Sequence, residues 1–272
     1  VEPAVTGQLD VRYGIDIAPY GDLADVNILG DLAAEAEDAG FDGVFIWDHI
    51  GRPPERHLAV VDTTVALAAI AMRTSRVEFG ALVTPLTRRR PQKFARETAT
   101  LDVMSGGRLV VGIGIGVDHS LELSGFGDTN VPREMAQRLD EAIDVVLQLW
   151  TGEEAHHHGR HFTAEGVTFT PTPARHPRPP IWVAASTAVP GAMRRAAAFE
   201  GLVPNCAVAE GARMLAAIRQ RRSSLDGFDV VAMVPPDVSA QPWIDVGATW
   251  VLTAMPEQST VANVRRAIAA GR

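Results

Sequence analysis

The 272-residue chain has one cysteine, Cys206, and one lysine, Lys93. A lone thiol excludes an intramolecular disulfide and leaves the compartment open, so a packed core has to supply the stability. With lysine almost absent, nearly every cation is an arginine, which reads first as a coding bias and second as a choice for bidentate anion recognition. No apolar run approaches the roughly 20 residues that cross a bilayer, which argues against membrane function. The segment Val1 to Asp10 lacks the basic start and apolar core of a signal peptide, so a cytoplasmic enzyme is the expectation. Cations are also outnumbered: 25 basic against 33 acidic residues give a net charge of −8, which repels polyphosphate backbones and makes nucleic acid a poor partner.

What the chain does have is an ordinary soluble composition, 46% hydrophobic and 21% charged, at a length suited to one α/β barrel of about 250 residues. Three short apolar runs, Gly43 to Ile50, Val77 to Pro85 and Arg108 to Gly116, end in polar or glycine-rich residues and are separated by helix-like segments. Val11 to Ala18 alternates like a first strand, and Leu29, Leu32, Ala33 and Ala36 follow at helical spacing until Gly40. Helices are expected near 62–72 and 92–104, the latter ended by Gly106 and Gly107, and over the stripe Leu139, Ile143, Val146, Leu147 and Trp150. After Trp150 the cadence breaks. Arg160 to Thr163 and Val167 to Thr170, around Glu165 and Gly166, predict a two-stranded excursion. Four more strands follow at 181–185, 201–204, 229–233 and 249–253, with helices near 191–199, 212–223, 241–246 and 260–270.

Eight strands alternating with eight helices, each strand continuously apolar, fit a parallel sheet buried on both faces. The expected fold is α/β, a single-domain (β/α)8 TIM barrel over 1–272 with an insertion after strand 4 at about 117–180. An open doubly wound sheet is the alternative, since a strand tally does not prove closure.

Parallel strands of such a barrel open their C-terminal ends on one face, where ligands bind. Asp48 and His49 end the second strand there, and His49 carries a ring that exchanges a proton near neutral pH; a local turn cap is the plainer reading. Ala81, Leu82, Val83 and Thr84 lead to Pro85, which lacks an amide donor, and a small residue in this run lets a flat ligand lie against backbone or simply serves barrel packing. Gly112, Gly114 and Gly116 are a weak match to a dinucleotide fingerprint, because Val117 stands where a third glycine is required and a polar loop follows. Close ligand approach at Gly114 and Gly116, lined by Asp118 and His119, is the better use. Ala185, Ser186 and Thr187 precede a helix and suit a phosphate or an ordinary N-cap. Arg88 to Arg90 read as a solvated triplet. His156 to His158 with His161 lack a carboxylate or cysteine at ligand spacing, so no metal site is assigned.

Taken in order, Gly40 to His49, Val83 to Pro91, Arg96 to Asp102, Ser105 to Gly114 and Pro180 to Val183 resemble the bacterial luciferase-like family of flavin- and deazaflavin-dependent oxidoreductases and monooxygenases. The likeness runs from Val11 to about Asn205. It implies a (β/α)8 barrel that binds reduced FMN or coenzyme F420 at the C-terminal mouth, the ring resting on a bulge at the end of strand three. Ala81 and Leu82 would form that bulge, with Val83 and Thr84 beside it, where relatives often hold a non-proline cis peptide. Asp48 and His49 match the pair that flanks the ring, with His49 as acid/base or orienting donor. Ala185, Ser186 and Thr187 match the phosphate turn, where relatives often have two glycines.

FMN supports dioxygen activation and F420 supports hydride transfer. The Trp47, Asp48, His49 ending looks more like the F420 branch, although Val117, with Asp118 next to it, stands where F420 enzymes carry an acidic residue. The substrate is expected to be a small organic molecule, uncharged or apolar, between His49, the ring and the His-rich excursion. Barrels of this family are often dimers, so a homodimer is the expected assembly. The competing readings are a non-catalytic flavin-binding barrel and a metal-dependent barrel hydrolase.

Overall fold

The computed structural model describes residues 10–53 and 58–271. The opening segment read above against a signal peptide lies outside them, save Asp10. In chain order the elements are β1 (Arg12–Ile17), α1 (Val26–Asp38), β2 (Gly43–Ile46), α2 (Thr63–Arg73), β3 (Glu78–Ala81), β4 (Thr84–Pro85), α3 (Pro91–Ser105), β5 (Val111–Gly114), α4 (Pro132–Trp150), β6 (Ala155–His158), β7 (Thr163–Val167), β8 (Ile181–Ala185), α5 (Pro190–Ala197), β9 (Gly201–Pro204), α6 (Val208–Arg219), β10 (Asp229–Val234), α7 (Gln241–Val246), β11 (Trp250–Ala254) and α8 (Val261–Ala270). Helix boundaries follow local chemistry. Asp25 caps α1 by accepting from the Asn27 and Ile28 amides, Asp62 caps α2, Pro91 opens α3, and Gly106 closes it in the left-handed conformation.

Nine strands pair in the order β3-β2-β1-β11-β10-β9-β8-β5-β4, all parallel. The ring closes because Phe79 of β3 bridges Leu109, donating its amide to the Arg108 carbonyl while its own carbonyl accepts from Val110. β3 and β4 are one stave of an eight-stave barrel, interrupted at Leu82–Val83, where the peptide bond is cis. A strand expected to run unbroken from Val77 to Thr84 is therefore split, and the open-sheet alternative falls. Closure also needs Gly80, since a β-carbon there would strike the Val110 carbonyl.

Strand side chains alternate between two cores. Ile15, Ile17, Val44, Ile46, Ile113 and Val183 face the helices in the larger one. Phe45, Val110, Trp182, Val231, Trp250 and Leu252 fill the barrel interior. Phe45, Trp182 and Trp250 meet with ring centroids 5.3 to 5.7 Å apart, each such pair adding roughly 0.5–1.5 kcal/mol beyond burial. Below them, at the N-terminal ends of the strands, Arg12 lies over the Trp250 ring and pairs with Asp229, which also accepts from the Trp182 indole and the Thr249 hydroxyl. This sealed floor leaves the opposite, C-terminal end as the mouth.

Between β5 and β8 the chain makes α4 and the antiparallel pair β6–β7. The hairpin forms, but in another register than expected. Its turn is 159–162, pinned by Glu141 of α4, which accepts the Arg160, His161 and Phe162 amides, and Gly166 is not a turn residue. Gly166 is instead an extra residue in β7 at φ 63°, taken up as a bulge opposite Ala155 and His156. The hairpin is bonded to α4 through Gln148 and Glu141, and among the described residues no hydrogen bond or ion pair joins it to His49, beside which it was expected to hold the substrate. No helix among the described residues is long and apolar enough to cross a membrane.

Candidate active site

The mouth is built from the ends of β1, β2, β4, β5 and β11. His49, two residues beyond the β2 ladder with Trp47, stands in the rim with its ring partly exposed. Its Nδ1 lies 2.7 Å from Oε2 of Glu122, a buried carboxylate from the loop joining β5 to α4. The other oxygen of Glu122 accepts the amides of Ile50 and Gly51 at 2.5 and 3.1 Å. A carboxylate acceptor makes Nδ1 the donor and leaves Nε2 as the nitrogen open to a reactant. Burial works to raise the Glu122 carboxyl, but the His49 hydrogen bond and charge, with the two amides, outweigh it and hold it below the usual carboxylate range.

Glu122 is the partner that motif reading missed. Its signal was present as a charged residue set between Leu121 and Leu123 in an otherwise polar loop, a placement that makes sense only if the loop folds inward there. Asp118, expected as a lining residue, organises that loop. It accepts from the Leu123 and Ser124 amides and from Asn130, and the Ser124 side chain together with the Leu123 amide hold its carboxyl down at about 2.

Asp48 points elsewhere than the mouth. Its buried carboxylate receives both oxygens' contacts from Arg89 at 2.8 Å and one from Arg88 at 3.1 Å, and Arg88 also donates to the Asp48 carbonyl at 2.7 Å. Arg88 and Arg89 are therefore not the solvated residues the triplet implied; only Arg90 is exposed. The cluster ties the end of β2 to the segment after β4, so Asp48 holds His49 in place rather than facing a reactant.

The bulge lies at Leu82–Val83, one residue later than Ala81–Leu82. Leu82 is buried on the barrel interior, Val83 is half-buried, and Ala81 faces the helices. Thr84 is buried in β4. Gly114 and Gly116 make room for this bulge: a β-carbon at Gly114 would lie 2.9 Å from the Val83 side chain, and one at Gly116, at φ 80°, 2.7 Å from Pro85. Ala185 is buried at the end of β8, whereas Ser186 and Thr187 are exposed with hydroxyls that bond no other described residue. Neither caps α5, whose N-cap is Val189. The next amide, Ala188, is already taken by Glu210 at 2.8 Å.

Two further groups carry no motif in the sequence. Asp16 of β1 is fully buried inside the barrel, its Oδ2 accepting the Trp47 indole N–H at 2.7 Å and its Oδ1 without a partner. Burial raises its carboxyl to about 7, only partly opposed by the indole. Tyr20 lies edge-on to both Trp47 and His49, with centroids 5.9 and 5.8 Å away, and its hydroxyl is buried without a partner among the described residues. Arg52 covers the Tyr20 ring at 4.9 Å and pairs with Glu257. Among the described residues no group of three or more His, Cys, Asp or Glu side chains gathers as a metal site. His156 and His158 pair instead with Glu154 and Glu165 on the hairpin.

A family model described as luciferase-like monooxygenase matches residues 12–242. Over 163 residues, 59% of this chain and 47% of the relative, the sequence is 35% identical to an F420-dependent glucose-6-phosphate dehydrogenase from Microbacterium testaceum. An F420-dependent hydroxymycolic acid dehydrogenase from Mycobacterium tuberculosis is 34% identical over 157 residues, 57% of this chain and 42% of that one. The chain spans about half the length of the curated relatives it matches. The solved structure of the coenzyme F420 dependent tetrahydromethanopterin reductase from Methanopyrus kandleri aligns with a TM-score of 0.78 at 17% identity, covering 94% of this chain and 96% of that one, a likeness of fold.

Proposed function

The chain belongs to the luciferase-like monooxygenase family, and from that premise we propose that it is an oxidoreductase working with F420, in preference to FMN, on a small organic substrate at the barrel mouth. The observation that carries this reading is the His49–Glu122 pair, an imidazole fixed at Nδ1 by a buried carboxylate and open at Nε2. The F420-dependent relatives support the choice of cofactor.

The residues present fit such a group. Leu82 and Val83, at the break in the third stave, would back a flat ring, with His49 at the end of β2 and with Gly114 and Gly116 leaving room for Val83 and Pro85. The exposed Ser186 and Thr187 hydroxyls, after Ala185, would take its phosphate end, although Glu210 already fills the neighbouring amide. When bound, the deazaflavin supplies hydride transfer, whereas reduced FMN would supply oxygen activation.

The protein's own part is to move a proton and to position. His49 Nε2 takes the proton from a substrate hydroxyl during oxidation and returns it to the oxygen in the reverse direction. Glu122 keeps Nδ1 protonated and stabilises the imidazolium that forms. Asp48, clamped by Arg88 and Arg89, fixes the backbone from which His49 projects. Such an enzyme is proposed to work as a homodimer, which sedimentation would check.

Titrating the protein with F420 and with FMN while following cofactor fluorescence tests the cofactor, F420 being expected to bind more tightly. His49→Ala should leave that affinity within about tenfold and lower turnover by roughly a hundredfold or more. Unchanged turnover would remove the proton-transfer role, and tight binding of neither cofactor would end the redox reading.

A further inference from the structure

The loop between β5 and α4 has a backbone feature that its hydrogen bonds do not explain. Leu121 sits at φ 57°, alone among the described non-glycine residues in having a positive φ. A branched-chain residue is rarely found there, since its β-carbon crowds the backbone, and glycine or asparagine is the usual occupant. Nor does the side chain gain burial in return: Leu121 is 52% exposed. The residue after it is Glu122, the His49 partner, so this exposed leucine adjoins the proposed proton-transfer pair.

It has apolar company. Ile50, whose amide is bound by Glu122, is 51% exposed, Val117 at the start of the same loop is 50% exposed, and Phe126 in its one-turn 3-10 segment is 74% exposed. The loop is not slack, because Asp118 holds Leu123 and Ser124 by their amides and Leu121 abuts Gly125. Large exposed apolar side chains on an ordered loop that adjoins a site are candidates for ligand contact. The described charges beside the pair are acidic or already paired. Among the described residues that contact the pair or its neighbours Tyr20 and Trp47, Arg52 alone carries a fixed positive charge, and Glu257 holds it, while Glu122 and Asp16 are acids.

We propose that the β5–α4 loop, through Leu121 and Phe126 with Ile50 and Val117, binds an uncharged hydrocarbon part of the substrate beside His49, so that the substrate class is an apolar alcohol or ketone and not a sugar phosphate. The proposal rests on the redox reading of the same mouth, and it moves the substrate from the His-rich hairpin to this loop. The reaction it implies transfers a hydride from the carbinol carbon to the oxidised deazaflavin, the co-reactant, while the hydroxyl proton passes to His49 Nε2. The C–H and O–H bonds break and the C=O double bond forms.

The test measures equilibrium binding of 2-butanone, 2-hexanone and 2-octanone, and of glucose 6-phosphate, to the wild type, Leu121→Gly and Phe126→Ser, with and without F420. Glycine suits the Leu121 backbone and Phe126 is largely in solvent, so both variants are expected to fold. Wild-type affinity should rise about two- to fourfold with each added CH2. Each variant should lose more than half of that gain per CH2, and glucose 6-phosphate should not compete.

Affinity indifferent to chain length, a gain unchanged in both variants, or displacement by glucose 6-phosphate would each overturn the proposal. So would sedimentation in which the wild type is a dimer and both variants are monomers, because the patch would then belong to a second copy. The cofactor titration keeps the two readings apart. If neither F420 nor FMN binds while the chain-length gain is present and sensitive to both substitutions, the redox function falls and the apolar site stands.

Discussion

The two ends of the barrel treat buried polarity differently. At the floor, Asp229 receives Arg12, the Trp182 indole and the Thr249 hydroxyl, and Glu78 is shared by Arg12 and Arg175; among the described residues the Trp250 indole nitrogen, beneath an arginine, and one oxygen of Asp102, whose other oxygen takes the Arg175 amide, are left over. At the mouth, one Asp16 oxygen, the Tyr20 hydroxyl and the Arg52 Nε are buried without partners among the described residues. An unpaired buried polar group costs on the order of 1–3 kcal/mol. The floor sets its acids Asp229 and Glu78 against arginines, whereas at the mouth Asp16 meets only an indole, a difference in keeping with a barrel whose ligands enter at one end.

The sharpest way to break this contrast is Asp16→Asn. An unfolded aspartate ionises near 3.8, whereas folded Asp16 holds its proton until about 7. Between those values the unfolded chain has released a proton that the folded chain keeps, so stability falls as pH rises from about 4 to 7 and stays low above it. The asparagine variant should therefore melt with the wild type near pH 4 and above it at pH 8. The gap should reach as much as ~4 kcal/mol, since each pH unit separating the two ionisations is worth ~1.4 kcal/mol. Melting curves that run parallel across this range would mean that Asp16 is no burden on the fold. The floor should respond in the opposite sense. Asp229→Ala removes the acceptor of the Trp182 indole and the Thr249 hydroxyl and one of the two carboxylates on Arg12, with an expected loss of about 1–3 kcal/mol by denaturant unfolding and no change in cofactor affinity. A loss of affinity there would show that the ends are coupled.

Much of this contrast follows from what a linear pattern carries and what it does not. Strand periodicity and turn residues located every barrel stave, and the end of the 43–50 run put Asp48 and His49 at the rim, because those features depend on residues close in the chain. Glu122 is 73 residues from His49, and their meeting depends on how one loop turns inward. Asp48 is legible as a position but not as a role, since the arginines that claim it lie 40 and 41 residues later. The hairpin shows the same limit from the other side. Glu165 and Gly166 read locally as a turn, but Glu141 on α4 holds three amides further back and sets the register. Asp16 gives no signal of its own, because an alternating strand hides which face is enclosed until the barrel closes.

Within the mouth, the division between the reacting pair and its surroundings can be sharpened by Glu122→Gln. With its one carbonyl oxygen on the Ile50 and Gly51 amides, the glutamine turns its NH2 to His49 Nδ1, which then accepts, so that the ring proton sits on Nε2 and no charge opposes an imidazolium. Turnover should drop by about tenfold to a hundredfold, the size of a weakened acid/base step, with cofactor affinity and melting temperature little changed. A variant with full turnover would leave Glu122 as a structural clamp only. The smallest effect is the most telling. Leu121→Gly relieves a left-handed backbone that costs on the order of 1 kcal/mol for a side-chain-bearing residue, while glycine's extra freedom in the unfolded chain offsets part of the gain. A net stabilisation of about 0.5 kcal/mol, read as a slightly higher melting temperature, should accompany the loss of affinity for long-chain ketones. A residue that lowers stability while it strengthens binding is placed by function, since packing alone would favour glycine there. If the glycine variant is instead less stable, Leu121 is held by contacts within the loop, and the mouth is more like the floor than the unpaired groups imply.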